Sequence, residues 1–151
     1  MALADLYIKD TGQKEDFEKA KFWYQKAAEQ DSPFAQYNLA VFYSEGIGGE
    51  KNIEMAVMWL QKASRQGYSE AQHALGVRYA IGDGLVKDDI KAFELFEKAA
   101  IQENIEAQFS AGLCYEHGKG VKQSYKKAFE WFKKAAYKGN HEAQKYLALY
   151  F

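Results

Sequence analysis

Cys114 and His117 stand three residues apart, the spacing that on a helix brings a thiol and an imidazole close enough to act as nucleophile and base. Catalysis also needs an orienting third group and a pocket that excludes water. In the repeat described below, the Cys114 slot is filled elsewhere by Phe42, Arg78 and Tyr150, so the expected role of the thiol is packing. His73 and His141 fall in different repeats, and no carboxylate–histidine cluster has the spacing of metal ligands. Gly82-Asp83-Gly84 and Gly118-Lys119-Gly120 have the outline of phosphate loops, but no strand precedes them and no Gly-Lys-Ser/Thr follows. They read as tight turns between helices. The chain is therefore expected to be a non-enzyme, with no cofactor and no metal.

What remains is binding, and the positions that carry it follow a period of 36 residues. Ala-Gln recurs at Ala35-Gln36, Ala71-Gln72, Ala107-Gln108 and Ala143-Gln144. Lys-Ala-Ala/Ser recurs from Lys26, Lys62, Lys98 and Lys134; tyrosines fall at Tyr7, Tyr43, Tyr79 and Tyr115, with Phe151 next in line. Alanines fall at Ala20, Ala56, Ala92 and Ala128. A strict period without insertions marks a stacked array, in which each unit buries its apolar face only against its neighbours.

Within each period the apolar spacing is helical twice. Ala35, Leu39, Ala40 and Tyr43 share one face of a short helix; Ile53, Ala56, Val57, Trp59, Leu60 and Ala63 form a broader stripe on a longer one. The short helices are expected over 2–9, 34–44, 70–80, 106–116 and 142–151, and the long ones over 16–30, 53–66, 89–102 and 125–138. Ser32 before Pro33, Asp88/Asp89 and Ser124 are start signals. Ala40, Gly76, Gly112 and Ala148 leave room for close helix packing, with Trp23, Trp59 and Trp131 expected to fill the space beside them and Leu95 as a smaller plug.

Net charge is −1, which argues against general attraction to nucleic acid or to an anionic membrane. The total hides an asymmetry: residues 109–144 carry seven Lys against three Glu, and residues 73–108 four basic against seven acidic groups. That pattern is either two solvated faces or a polarised surface that steers a charged partner. A single cysteine excludes an internal disulfide and leaves the redox compartment open. No apolar run approaches the ~20 residues of a membrane span, so no direct insertion is expected. Met1-Ala2-Leu3-Ala4-Asp5 lacks a signal peptide's features. A cytoplasmic setting is the default, periplasmic or secreted if the chain is truncated.

The run Glu-Ala-Gln-x-x-Leu/Ala-Gly-x-x-Tyr, then Gly-x-Gly, then Ala-x-x-Trp-x-x-Lys-Ala-Ala resembles the Sel1-like repeat, a longer-turned relative of the tetratricopeptide repeat. It is clearest at Glu70-Ala71-Gln72 to Tyr79, Gly82 to Gly84 and Ala128 to Ala136. The first copy departs from it, with Asp10 where Gly46, Gly82 and Gly118 stand. The expected fold is all-α, a right-handed α/α superhelix of about four helix-turn-helix repeats, over 1–33, 34–69, 70–105 and 106–141, with a terminal helix 142–151. The chain begins and ends inside short helices, as a segment of a longer array would. Related bacterial proteins rich in disulfides pair cysteines across each repeat, which this chain cannot do.

The resemblance implies a bacterial scaffold that binds a protein or peptide, with the short helices lining a concave groove. Three registers of those helices would face it: Tyr37, His73, Phe109 and Lys145; Val41, Val77, Leu113 and Leu149; Glu45, Ile81 and His117, with Glu116 beside the last. Val41, Val77 and Leu113 are the members expected nearest the core. Tyr37, His73 and Phe109 are expected to be free of core duty, because Lys145 shares their slot. Arg78, a cation in an otherwise apolar register, either reaches the groove rim or forms a surface ion pair. The alternative function is assembly through open ends, a homo-oligomer or longer array joined at Leu147, Leu149, Tyr150 and Phe151.

Overall fold

The structure, a computed structural model, describes residues 14–150. The expected helix over 2–9, with Leu6 and Tyr7, and the terminal Phe151 lie outside the described residues, as does the side chain of Tyr150. Among the described residues there are eight helices and no strand: α1 (Lys14–Glu29), α2 (Pro33–Glu45), α3 (Ile53–Arg65), α4 (Ser69–Ile81), α5 (Asp89–Ile101), α6 (Ile105–His117), α7 (Tyr125–Tyr137) and α8 (His141–Tyr150). Long helices α3, α5 and α7 start where the apolar spacing places them. The short helices start one residue earlier than expected.

The starts follow from side-chain caps. Ser32 accepts from Ala35 N at 3.3 Å with Pro33 in the first turn, Asp88 accepts from Lys91 N at 3.0 Å, and Ser124 accepts from Lys127 N at 3.4 Å. Asparagine does the same at Asn52, Asn104 and Asn140, accepting from Met55, Ala107 and Ala143 N at 2.9, 2.9 and 2.8 Å. Gly46 and Gly118 close α2 and α6 in the left-handed conformation, φ 69° and 65°. Gly120 is needed for another reason as well: a Cβ there would collide with the Asp89 backbone at the start of α5.

By compactness the chain divides after Ala71, inside α4. In the first unit α2 packs against α1 and α3, and the Tyr24 ring meets Phe42 edge-on at 5.4 Å. In the second, α6 packs against α5 and α7, and α8 against α7. Its core joins Ala92, Phe93 and Phe96 of α5 to Ala107, Ala111, Cys114 and Tyr115 of α6, Ala128, Phe132 and Ala135 of α7, and Ala143 of α8.

The tryptophan register is not what fills the long-helix face throughout. Trp59 is 4% exposed as expected, but Trp23 is 44% exposed and stacks edge-on with Phe22, and Trp131 and Leu95 are half-buried. The residue after it is buried in every long helix: Tyr24, Leu60, Phe96 and Phe132 are 2, 3, 4 and 2% exposed. The short helices make room for these rings with glycine. A Cβ at Gly76 would stand 2.7 Å from the Phe96 ring, and one at Gly112 2.5 Å from Phe132.

The recurrent glutamine is a buried brace. Gln36 and Gln108 donate through Nε2 to Ala28 O and Ala100 O at 3.2 Å each, tying the short helix to the end of the long helix before it. The Oε1 atoms of Gln36 and Gln72 accept from Gln66 and Gln102, at 2.9 and 2.7 Å, which follow the next long helix. At Gln108 the second half is missing. Lys138 occupies that place and turns to Glu103 at 3.2 Å, leaving Gln108 Oε1 buried without a hydrogen-bond partner.

Candidate interaction surface

In the second unit the short helices lie side by side. His73 Nε2 on α4 shares a hydrogen bond with Ser110 Oγ on α6 at 3.1 Å, and the Phe109 ring on α6 meets Tyr146 on α8 at 5.5 Å. On α2, α4 and α6 the three candidate registers lie four residues apart, so on each helix they share one stripe. Along every stripe exposure rises toward the C-terminal end of the helix. On α4 it runs from half-buried His73 through Val77 (36% exposed) to Ile81 (67%). On α6 it runs from half-buried Phe109 and Leu113 to exposed His117. In the first unit, Tyr37 and Val41 on α2 are half-buried and Glu45 is exposed.

The gradient corrects the expectation that the first register is free of core duty. Phe109 packs against the core cluster, its ring 5.6 Å from Phe132. His73 lies over Phe96, with ring centroids 5.5 Å apart, and burial lowers its pKa from 6.5, opposed by Glu106. Tyr37 rests on Tyr68 at 5.6 Å, and burial with the Glu70 carboxylate raises its pKa. Lys145 is tolerated in the same slot because it is exposed and pairs with Glu142 at 2.7 Å. Val77 departs the other way, exposed where a core position was expected.

Two further candidates turn inward. Glu116 is buried, 5% exposed, with Oε2 3.4 Å from His117 Nε2, so its carboxylate is not open to a partner. Arg78 bonds the Asp83 carboxylate in the following turn and its side chain is only 12% exposed, so the ion-pair account holds over the groove rim. Ile81, Glu45 and His117 stand exposed as the sequence places them. Ser110, which ties α6 to α4 through His73, was not singled out, because its register holds no repeated residue type.

Cys114 is buried, and burial above all pushes its thiol up to about 11, opposite to the thiolate a nucleophile requires. His117 pairs with Glu116. Among the described residues no three His, Cys, Asp or Glu side chains are grouped to hold a metal ion, and no helix is long and apolar enough to cross a membrane.

Paired helices repeating at one period and braced by glutamine define an all-α solenoid. The Sel1 repeat model matches residues 1–32, 33–68, 69–104 and 105–140, and the chain belongs to the Sel1 repeat family. Among solved structures, a Sel1 repeat protein from Oxalobacter formigenes is similar at 34% identity and TM-score 0.88, over 96% of this chain and 59% of that one. A protective antigen of uropathogenic Escherichia coli with the same fold is similar at 35% identity and TM-score 0.87, over 93% of this chain and 30% of that one. The chain thus spans less than two thirds of either relative. The cysteine-rich protein B of Helicobacter pylori follows at 28% identity and TM-score 0.69, over 87% of this chain and 95% of that one. No curated protein sequence matches the chain.

Proposed function

We propose that the chain is a non-catalytic interaction scaffold that receives a peptide or protein segment across the short helices. Sel1 repeat proteins are in general protein–protein interaction scaffolds, and the chain's membership supports the class. The observation that carries the finer reading is the pair Val77 and Ile81. They are aliphatic, exposed and a single helical turn apart on α4, and half-buried Leu113 and exposed His117 hold the same registers on α6. Exposed aliphatic side chains in a layer braced from beneath offer a desolvated contact at little ordering cost.

The test replaces Val77 and Ile81 together with Ser. A peptide library panned against the wild-type chain supplies ligands, and the double variant is expected to keep the wild-type melting curve while binding them at least ~10-fold more weakly. Ligands that bind the double variant as tightly as the wild type place the site elsewhere and overturn the reading.

A further inference from the structure

The long helix α7 buries Ala128, Phe132 and Ala135 and carries charge of almost one sign on the rest of its surface. Lys126, Lys127, Lys133 and Lys134 are exposed, as are Lys122 just before the helix and Lys138 just after it. The one acid in that stretch is Glu130. This exposure belongs to the repeat. One period earlier, in α5, which has a further pair of helices after it, five of the same six slots are exposed as well: Val86, Ile90, Lys91, Lys98 and Gln102. A further repeat after α8 would therefore leave these lysines in solvent, with Lys133 half-buried as Glu97 is. Nor does the scaffold demand lysine, since around α3 the slots hold Glu50, Glu54, Met55, Gln61, Lys62 and Gln66.

Two of the lysines stand against the polarity of their helix. A first turn favours carboxylates, and α3 and α5 place Glu54 and Asp89 there. The first turn of α7 has no acid and carries Lys126 and Lys127. Of the six lysines, only Lys138 forms an ion pair among the described residues, with Glu103 at 3.2 Å. Three others lie over rings: Lys127 over Tyr115 at 5.0 Å, Lys133 over Tyr137 at 5.8 Å and Lys134 over Trp131 at 4.3 Å. A ring orients an ammonium without neutralising it. Like charges crowded on one helix, two of them against its dipole, cost stability. A local rule broken with no return in folding marks a surface kept for a ligand.

A polyanion such as nucleic acid or an anionic bilayer is the poorer match. The chain as a whole carries −1 and exerts no long-range pull on one, and the exposed Glu130 sits in the middle of the face. A polypeptide can place its carboxylates on either side of Glu130. Lys126 and Lys133, like Lys127 and Lys134, are seven residues apart, roughly 10 Å along the helix and close to the span of three residues of extended chain. We propose that this face of α7 is a docking site for an acidic segment of a partner protein, with a carboxylate at about every third residue. The site is distinct from the surface around Val77 and Ile81.

The probe is a labelled peptide of repeated Glu-Gly-Ser, titrated with the whole chain at low salt and followed by fluorescence anisotropy. Saturable binding is expected, fading as salt rises. Lys126→Gln, Lys127→Gln, Lys133→Gln and Lys134→Gln together should weaken it ~10-fold or more and leave the melting midpoint unchanged or higher. Val77→Ser with Ile81→Ser should bind the peptide as the wild type does, which separates the two sites. A control removes the same charge elsewhere, through Lys51→Gln, Lys62→Gln, Lys87→Gln and Lys98→Gln, all at exposed positions. Equal weakening by the control would reduce the effect to total charge and overturn the proposal, as would absence of saturable binding to the wild type. Oligothymidylate or phosphatidylserine vesicles binding through the four lysines while the peptide does not would overturn it too. So would light scattering that shows a salt-reversible self-association abolished by the same four substitutions, since a second copy would then occupy the face.

Discussion

Gln36, Gln72 and Gln108 hold the repeat together with one side-chain amide each, and the exception among them carries a prediction. Gln108 Oε1 is buried without a partner because Lys138 stands where Gln66 and Gln102 supply a donor. Lys138→Gln is expected to complete the brace and raise stability by about 1 kcal/mol, the net worth of one hydrogen bond, less a little for the exposed Lys138–Glu103 pair. Urea unfolding checks it; an unchanged midpoint would mean that this oxygen is satisfied by water. His73 carries a pH dependence. Its folded pKa lies below the unfolded value of 6.5, so the unfolded chain takes up the proton first. Stability should fall as pH drops through that value and level off below the lower, folded pKa. His73→Asn should lose this component of the profile, and a variant that keeps it would assign the loss to other groups.

These residues were legible unevenly in the sequence. The Ala-Gln repeat was plain, but a glutamine reads as a surface residue until its two partners are placed, and those lie eight residues before it and thirty after. Glu116 is buried where a groove residue was expected, and for Arg78, left between the groove rim and an ion pair, the Asp83 carboxylate in the following turn decides for the pair.

At the scale of the element, the helices follow almost directly from the sequence, because caps, glycines and apolar spacing agree at each boundary. The facing of the long helices is harder to read. Trp and the residue after it are adjacent and only ~100° apart around the helix, and the bulkier side chain draws attention. Gly76 and Gly112 settle the matter, since their clefts receive Phe96 and Phe132. Phe132→Ala should therefore cost about 3–5 kcal/mol through the cavity it leaves among Phe109, Gly112 and Tyr146. Half-buried Trp131→Ala should cost roughly 1–2 kcal/mol. Thermal melts of the two variants give the order, and a larger loss at Trp131 would reverse the assignment of the core register. Phe109→Ser is expected to destabilise the second unit too, where the sequence alone placed it in a register free of the core.

For the molecule as a whole, the 36-residue period made the fold class readable, since a register repeated without insertion leaves few alternatives to stacked helix pairs. The proposed binding surface was readable only in part. Period alone places Tyr37, His73 and Phe109 in line, but it carries no information on how exposure changes along each short helix, and the stripes sink into the core at their N-terminal ends. On α2, α4 and α6, Glu45, Val77, Ile81 and His117 are what the gradient leaves in solvent.

The scaffold account is tested most directly by mapping a bound ligand onto the backbone. With the isotopically labelled chain and a peptide selected against it, amide resonances are expected to shift over residues 77–81 of α4 and 113–117 of α6, while those of α5 and α7 stay in place. Shifts confined to the long helices would contradict the account and move the interaction surface to the opposite layer.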